Sequence, residues 1–384
     1  MNASLPSIKE MISELVSTPS VSSTQAEFDQ SNEGVINLLA NWLDPLGFEV
    51  TITPVQGRSG KKNLMARIGT GTDGLILSGH SDTVPIDEHL WQSDPFSIAE
   101  KDDRWYGLGS CDMKSFFAVA IEAAKPFLED RDKLKRPLII MATADEESSM
   151  SGARQLTKGD VADAGFAIIG EPTGLKPITK HKGIMMMQLR IEGTSGHSSD
   201  PSLGKNAIEG MHHALTALMK YRDAMQNQFQ DPQFAVSFPT MNFGCIHGGD
   251  NPNRICDHAE LSFDLRALPS MDMSDFTGNL EARLTNSLRD LGFTCQLQLL
   301  HTPVAPFAND GSQFAEEISQ LSSSEPGAVA FGTEAPFYHD MNIDTVVIGP
   351  GSIDQAHQPN EYLPLDQINP AVELIRTVIG KRCG

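Results

Sequence analysis

Residues 75–85, LILSGHSDTVP, decide how this chain is read. The run 75–79 is apolar without alternation, so it reads as a central strand covered on both faces. It ends on His80 and Asp82. The run 138–144 (LIIMATA) has the same character and ends on Asp145-Glu146-Glu147. A shorter run, 166–169 (FAII), ends on Gly170-Glu171-Pro172, and 345–348 (TVVI) is a further buried strand. In open α/β sheets, ligands gather at the carboxyl ends of the strands. Separate strands here deliver His80, the 145–147 acids and Glu171 to that one edge. A further acid, Asp112, lies in the glycine-rich segment GLGSCDMK (107–114), just before a helix expected from Ser115 to about Phe127.

Outward from this centre, Ser7 and Glu10 form an S-x-x-E capping box that opens a helix over 7–16. A second amphipathic helix runs through Val35–Leu43, strands alternate at 49–54 and 63–68, and a closing helix spans 370–380. From about residue 184 the pattern changes. A strand (185–191), a helix (204–222), two strands (241–246 and 259–266), a helix (273–290) and a strand (294–299) follow one another. That order, β-α-β-β-α-β, is the ferredoxin-like plan. The expected fold is therefore an α/β catalytic domain, 1–182 plus 300–384, with a mixed, mainly parallel sheet between helices. A ferredoxin-like α+β domain, 183–299, interrupts it. The 384 residues are too many for one ordinary core.

Composition excludes several classes. A formal charge of -21 repels phosphate backbones and anionic membranes, so neither nucleic acid nor membrane is an expected partner. Five cysteines, an odd number without C-x-x-C spacing, argue against a disulfide framework and point to reduced thiols. The N-terminal segment MNASLPSIKE has neither the basic nor the apolar region of a signal peptide, so a cytoplasmic location is expected. The sequence shows neither a basic cluster nor a P-loop pattern to cradle phosphate, which disfavours a two-metal phosphoesterase.

Each polar feature has a bland reading as well as a chemical one. On extended chain, residues i and i+2 point to one side, so the Asp82 carboxylate can accept the second ring N–H of His80. H-x-D also suits a polar strand end. Adjacent acids at a buried strand end repel each other unless a cation is near, and one glutamate can ligate while its neighbour faces water. The same acids suit a helix N-terminus. His357 follows the glycine-rich 349–352 loop and reads alone as a loop histidine. Together, His80, Asp112, Glu147, Glu171 and His357, with Glu146 to spare, form a donor set suited to zinc, cobalt or manganese rather than calcium. A carboxylate shared by two ions, with room for water, is a hydrolytic arrangement.

The phrases GHSDTVP (79–85), GxxDMK (109–114), DEE (145–147), GEPT (170–173) and AHQPNEY (356–362) resemble, in order and over almost the whole chain, the di-zinc aminoacylase and carboxypeptidase family that includes succinyl-diaminopimelate desuccinylase. The resemblance implies that His80 and Glu171 hold one zinc, Glu147 and His357 the other, and Asp112 both, with cobalt or manganese able to substitute. It implies Glu146 as general base, Asp82 behind His80, and a cis peptide after Asp112. It also makes the inserted domain a lid and homodimerisation module. There, SGHSSDP (195–201) offers His197 to the oxyanion, from the partner subunit in relatives, and HGGDNPNRIC (247–256) offers Asn253 and Arg254 to a substrate carboxylate. Together with SGHSSDP and HGGDNPNRIC, the phrases GTEAPF (332–337) and GPGSIDQAHQP (349–359) resemble the members of the family that act on N2-acetyl-L-ornithine, which implies that substrate, with acetate and ornithine as products in arginine biosynthesis. Glu334 is the expected partner of the substrate's side-chain amine. Another N-acyl amino acid, such as N-succinyl-diaminopimelate, is the alternative substrate, and a catalytically silent metal-binding scaffold is the alternative of another class.

Overall fold

The computed structural model describes residues 5–130 and 134–384. The first four residues, part of the segment read above for a leader, lie outside that range. The chain forms two compact units, one of 1–179, 309–327 and 333–384, the other of 180–308 and 328–332.

The first unit is built on a mixed sheet. Four strands pair in parallel at its centre, in the order Leu138–Thr143, Gly74–His80, Ala164–Ile169, Asp344–Val347. On one side Lys62–Ile68 and then Glu49–Pro54 add antiparallel strands, and on the other Ile178–His181 adds one more. The sheet is thus parallel only at its core; among these flanking strands only Glu49–Pro54 is joined to its sheet neighbour, Lys62–Ile68, by a short connection. Burial explains the apolar runs: every residue of Gly74–His80 and Leu138–Thr143 is buried. Leu75, Leu77, Leu138 and Ile140 join one core with helices Ile8–Val16, Glu33–Leu43, Ser115–Leu128, Gln313–Ser322 and Ile368–Arg382. On the opposite face Ile76 and Ile139 are equally buried, and helix Ala335–Asp340 places the Tyr338 hydroxyl 2.8 Å from Ser78 Oγ. The first helix carries the expected capping box, Ser7 with Glu10.

A small antiparallel sheet joins Ala99–Lys101, Arg104–Tyr106 and Tyr362–Pro364. These three-residue strands are too short to show a period in sequence. They fix the segment after His357 beside the start of the glycine-rich 107–112 turn.

The second unit has the element order Gly183–Glu192, helix Ala207–Gln228, Thr240–Gly248, His258–Ala267, helix Met273–Arg289, Thr294–Leu299. Its four strands pair antiparallel with the second-unit order 240–248, 258–267, 183–192, 294–299. Alternation along Gly183–Glu192 puts Met185, Met187, Leu189 and Ile191 on the face packed against the two helices. The unit reaches beyond 183–299 because Ile184 bridges Val304 and Phe307 pairs with His181. Pairings of one or two residues leave no trace in hydrophobic periodicity. No helix among the described residues is long and apolar enough to cross a membrane.

Candidate metal centre

The parallel core strands end at one edge, and the register aligns them there: His80 lies beside Thr143, and Val347 beside Ile169. His80 closes its strand, Asp145-Glu146-Glu147 follow theirs in a turn, and Glu171 follows its own after Gly170. Gly170 is there for closeness. Its amide donates to Ser78 O at 3.0 Å, and a Cβ on it would stand 2.0 Å from Phe116 Cγ. Only a residue without a side chain lets this strand end press on helix Ser115–Leu128.

Asp112 is the centre of the geometry. Its Oδ1 lies 3.0 Å from His80 Nε2, and its Oδ2 lies 3.5 Å from His357 Nε2. His357 Nε2 is in turn 2.8 Å from Glu147 Oε2. Two groups of donors result, His80–Asp112–Glu171 and Asp112–Glu147–His357, each with its atoms within 4.8 Å of one another. The peptide after Asp112 is cis. All five donors expected from the sequence stand in these groups, with Asp112 common to both.

The charges here do not balance with protein alone. Asp112 and Glu171 are buried, and the ion pairs of Asp112 and Glu147 are with the two histidines. Burial pushes the Glu171 carboxyl well above its usual range, and the Asp112 charge adds to that. Burial likewise pushes Glu146 well up, with His80 pulling the other way and Glu171 and Glu147 adding to the rise. Burial opposes charge on the His80 ring, yet the Asp112 carboxylate, with Glu171 and Asp82, holds it well above its ordinary value. The Glu147 carboxylate lifts His357 to about 9 against the opposing effect of burial. Both acids and imidazoles are being driven toward holding protons, which is what a cluster short of positive charge does. Imidazole nitrogens and carboxylate oxygens at this spacing fit divalent metal ions.

Asp82 sits differently from expectation. The His80 Nδ1–H donates to the main-chain carbonyl of Asp82 at 3.0 Å, and the carboxylate is 3.8 Å away. The Asp82 carboxylate accepts instead from the backbone N–H groups of Glu146 (3.2 Å) and Glu147 (3.1 Å). It therefore fixes the turn that presents both glutamates, while its own main chain fixes the His80 ring. Burial raises its pKa to about 6.

Glu334 is 1% exposed, and no cation is paired with its carboxylate among the described residues. The hydroxyl of Thr143 beside it is donated to Gly79 O at 3.2 Å. Burial lifts Glu334 to about 7. His197, Asn253 and Arg254 belong to the second unit and sit together there. His197 bridges Arg254, and Ser198 N donates to Asn253 O at 3.1 Å. The His197 Nδ1 accepts from the Ser199 amide at 3.2 Å, and Arg254 is ion-paired with Asp250.

Three residues take parts here that the sequence analysis did not assign to them. Asp145 is buried with φ 59° and pairs with Lys61 (2.7 Å) and Arg58 (2.7 Å), anchoring the turn before Glu146. Lys114 is fully buried in the DMK phrase. Glu361, in the segment after His357, accepts from the amides of the Asp112 turn. All three lie inside quoted motifs, in DEE, GxxDMK and AHQPNEY, and that is the signal the sequence carried for them.

Residues 76–381 match the family described as peptidase family M20/M25/M40. A curated acetylornithine deacetylase of Pasteurella multocida is 46% identical over 99% of both chains. Another, of Photorhabdus laumondii, is 44% identical over 100% of this chain and 99% of its own. Among solved structures, a tripeptidase of Staphylococcus aureus superposes with a TM-score of 0.76 at 18% identity, covering 98% of each chain. A dinuclear metal-binding peptidase of Bacillus subtilis does so with 0.69 at 14% identity, again over 98% of each. At such identities the likeness is one of fold.

Proposed function

The chain belongs to peptidase family M20/M25/M40, and from that premise we propose that it hydrolyses N2-acetyl-L-ornithine to acetate and L-ornithine, the reaction named for its full-length relatives. The observation that carries the reading is the pair of donor groups sharing Asp112, with Glu146 beside them. His80 and Glu171 would hold one zinc ion, Glu147 and His357 the other, and Asp112 both. When bound, such ions supply the Lewis acidity that activates water and polarises the scissile carbonyl.

The chain's own residues do the rest. Glu146 takes the proton of the attacking water and returns it to the leaving amine. Asp82 holds Glu146 and Glu147 by their amides, so the base and its ligating neighbour keep a fixed relation. His197 donates to the developing oxyanion, and Asn253 with Arg254 grips the substrate carboxylate, a guanidinium fork suiting that group. Their motifs support these roles. Glu334, a buried carboxylate with no paired cation among the described residues, receives the ornithine side-chain amine. The second unit acts as lid and homodimerisation module, and light scattering would then give twice the chain mass.

A substrate panel tests the reading. Metal-loaded protein is given N-acetyl-L-ornithine, N-succinyl-diaminopimelate and other N-acyl amino acids, with product amines quantified. Preferential ornithine release supports it. Preferential release from another member keeps the chemistry and overturns the substrate.

A further inference from the structure

We infer that Glu361 is a positioning residue that ties the turn bearing Asp112 to the loop bearing His357, and so sets the Asp112–Glu147–His357 donor group. This rests on reading the two donor groups as metal positions. Glu361 is 1% exposed and belongs to neither group. Its Oε1 accepts from Cys111 N at 2.7 Å and Asp112 N at 2.9 Å, and its Oε2 accepts from Gly109 N at 3.1 Å. Its own carbonyl accepts from Gly107 N at 3.0 Å. One residue thus satisfies four donors of a turn that has no strand or helix partners of its own. Left unmade in a buried place, such groups cost dearly.

The turn is shaped for this contact. Gly109 has φ +77°, and a Cβ there would lie 2.6 Å from Lys114 Cε. Lys114 is itself fully buried, donates to Thr18 O at 3.0 Å, and places its charge near Glu361. On the other side Tyr362 pairs with Tyr106, so the backbone of Glu361 is held from the strand as well. His357 precedes Glu361 in the same segment, with φ 59°. The carboxylate therefore fixes one donor of His80–Asp112–Glu171, namely Asp112. In Asp112–Glu147–His357 the same contact joins two donors, because the carboxylate holds the Asp112 turn while its own backbone continues the segment that carries His357. Loss of Glu361 loosens the second group more than the first, an asymmetry that a general packing role does not produce.

Glutamine keeps one carbonyl oxygen for Cys111 and Asp112 but turns an NH2 toward the Gly109 N–H. Alanine removes all three contacts. The test is titration of metal-free wild type, Glu361→Gln and Glu361→Ala with cobalt(II), followed by visible absorption and calorimetry. Thermal unfolding of the metal-free forms controls for folding. The expected result is that the wild type binds two ions and Glu361→Gln keeps the tighter one, with the weaker affinity down at least ten-fold. Glu361→Ala would show a larger loss at the same position. Unchanged affinities in both variants would overturn the inference, as would equal loss at both positions. If the alanine form does not fold, the glutamine form carries the test alone. A wild type that takes up no cobalt would instead remove the underlying reading of the donor groups.

Discussion

Two adjacent glutamates at the end of Leu138–Thr143 are given different work by their surroundings. Glu147 faces His357 at 2.8 Å, whereas Glu146 has no place in either donor group. Glu146→Gln keeps the shape and removes the basicity. Turnover should fall by about 10²–10⁴-fold, the usual contribution of a general base, while bound metal stays at the wild-type level. Near-normal turnover in that variant would take Glu146 out of the role. At this scale the sequence was informative where a residue type is costly without a purpose. Buried acids at strand ends announce themselves, and the five donors do stand together. Asp82 was half legible: its place behind His80 could be read from spacing, but not that its carboxylate would serve the amides of Glu146 and Glu147. Long-range contacts to main-chain N–H groups leave no residue pattern, which is also why Glu361 was missed.

Strand ends and helix faces set how closely these residues approach. Gly170 shows it: with a methyl group, the strand end must retreat from Phe116, which is itself buried in the core. Gly170→Ala should cost about 1–3 kcal/mol of stability, as overpacking does, measured by denaturant unfolding of the metal-free protein. It should also weaken metal binding through displacement of Glu171. A variant as stable as the wild type would show that the interface yields. A second element-scale expectation concerns His181, at the end of Ile178–His181. Burial depresses its pKa to about 4, and its Nδ1–H donates to Lys182 O at 3.0 Å. Below about pH 6.5 the unfolded chain takes up a proton that the folded one refuses, so stability falls as pH drops from about 6.5 to about 4 and is unaffected above. His181→Asn should lose about 3 kcal/mol less than wild type across that window, read from urea midpoints at each pH. Parallel curves would contradict a neutral buried ring. Long elements such as Ser115–Leu128 and Thr294–Leu299 were legible within a residue or two, because burial imposes their period. The three-residue strands around 99–106 and 362–364 were not, since runs this short carry no repeat and Tyr362–Pro364 pairs with a strand more than 250 residues before it.

For the whole molecule, the alternation of apolar runs with helices was enough to separate an α/β framework from an inserted β-α-β-β-α-β unit. The strands at 49–54 and 63–68 were read from their alternation, but the pairing of Lys62–Ile68 with Leu138–Thr143 and the return at 328–332 depend on tertiary contacts. A net charge of -21 is compatible with a cationic side chain on the substrate and with divalent ions at the centre, both of which such a field attracts. Everything above turns on a metal-dependent deacetylase site formed around Asp112. Its most direct test is ornithine release from N-acetyl-L-ornithine by chelator-treated protein as zinc is added back. The predicted result is no release from the metal-free protein and release that rises with bound zinc. Release unaffected by the chelator, or none with two zinc ions bound per chain, would contradict it.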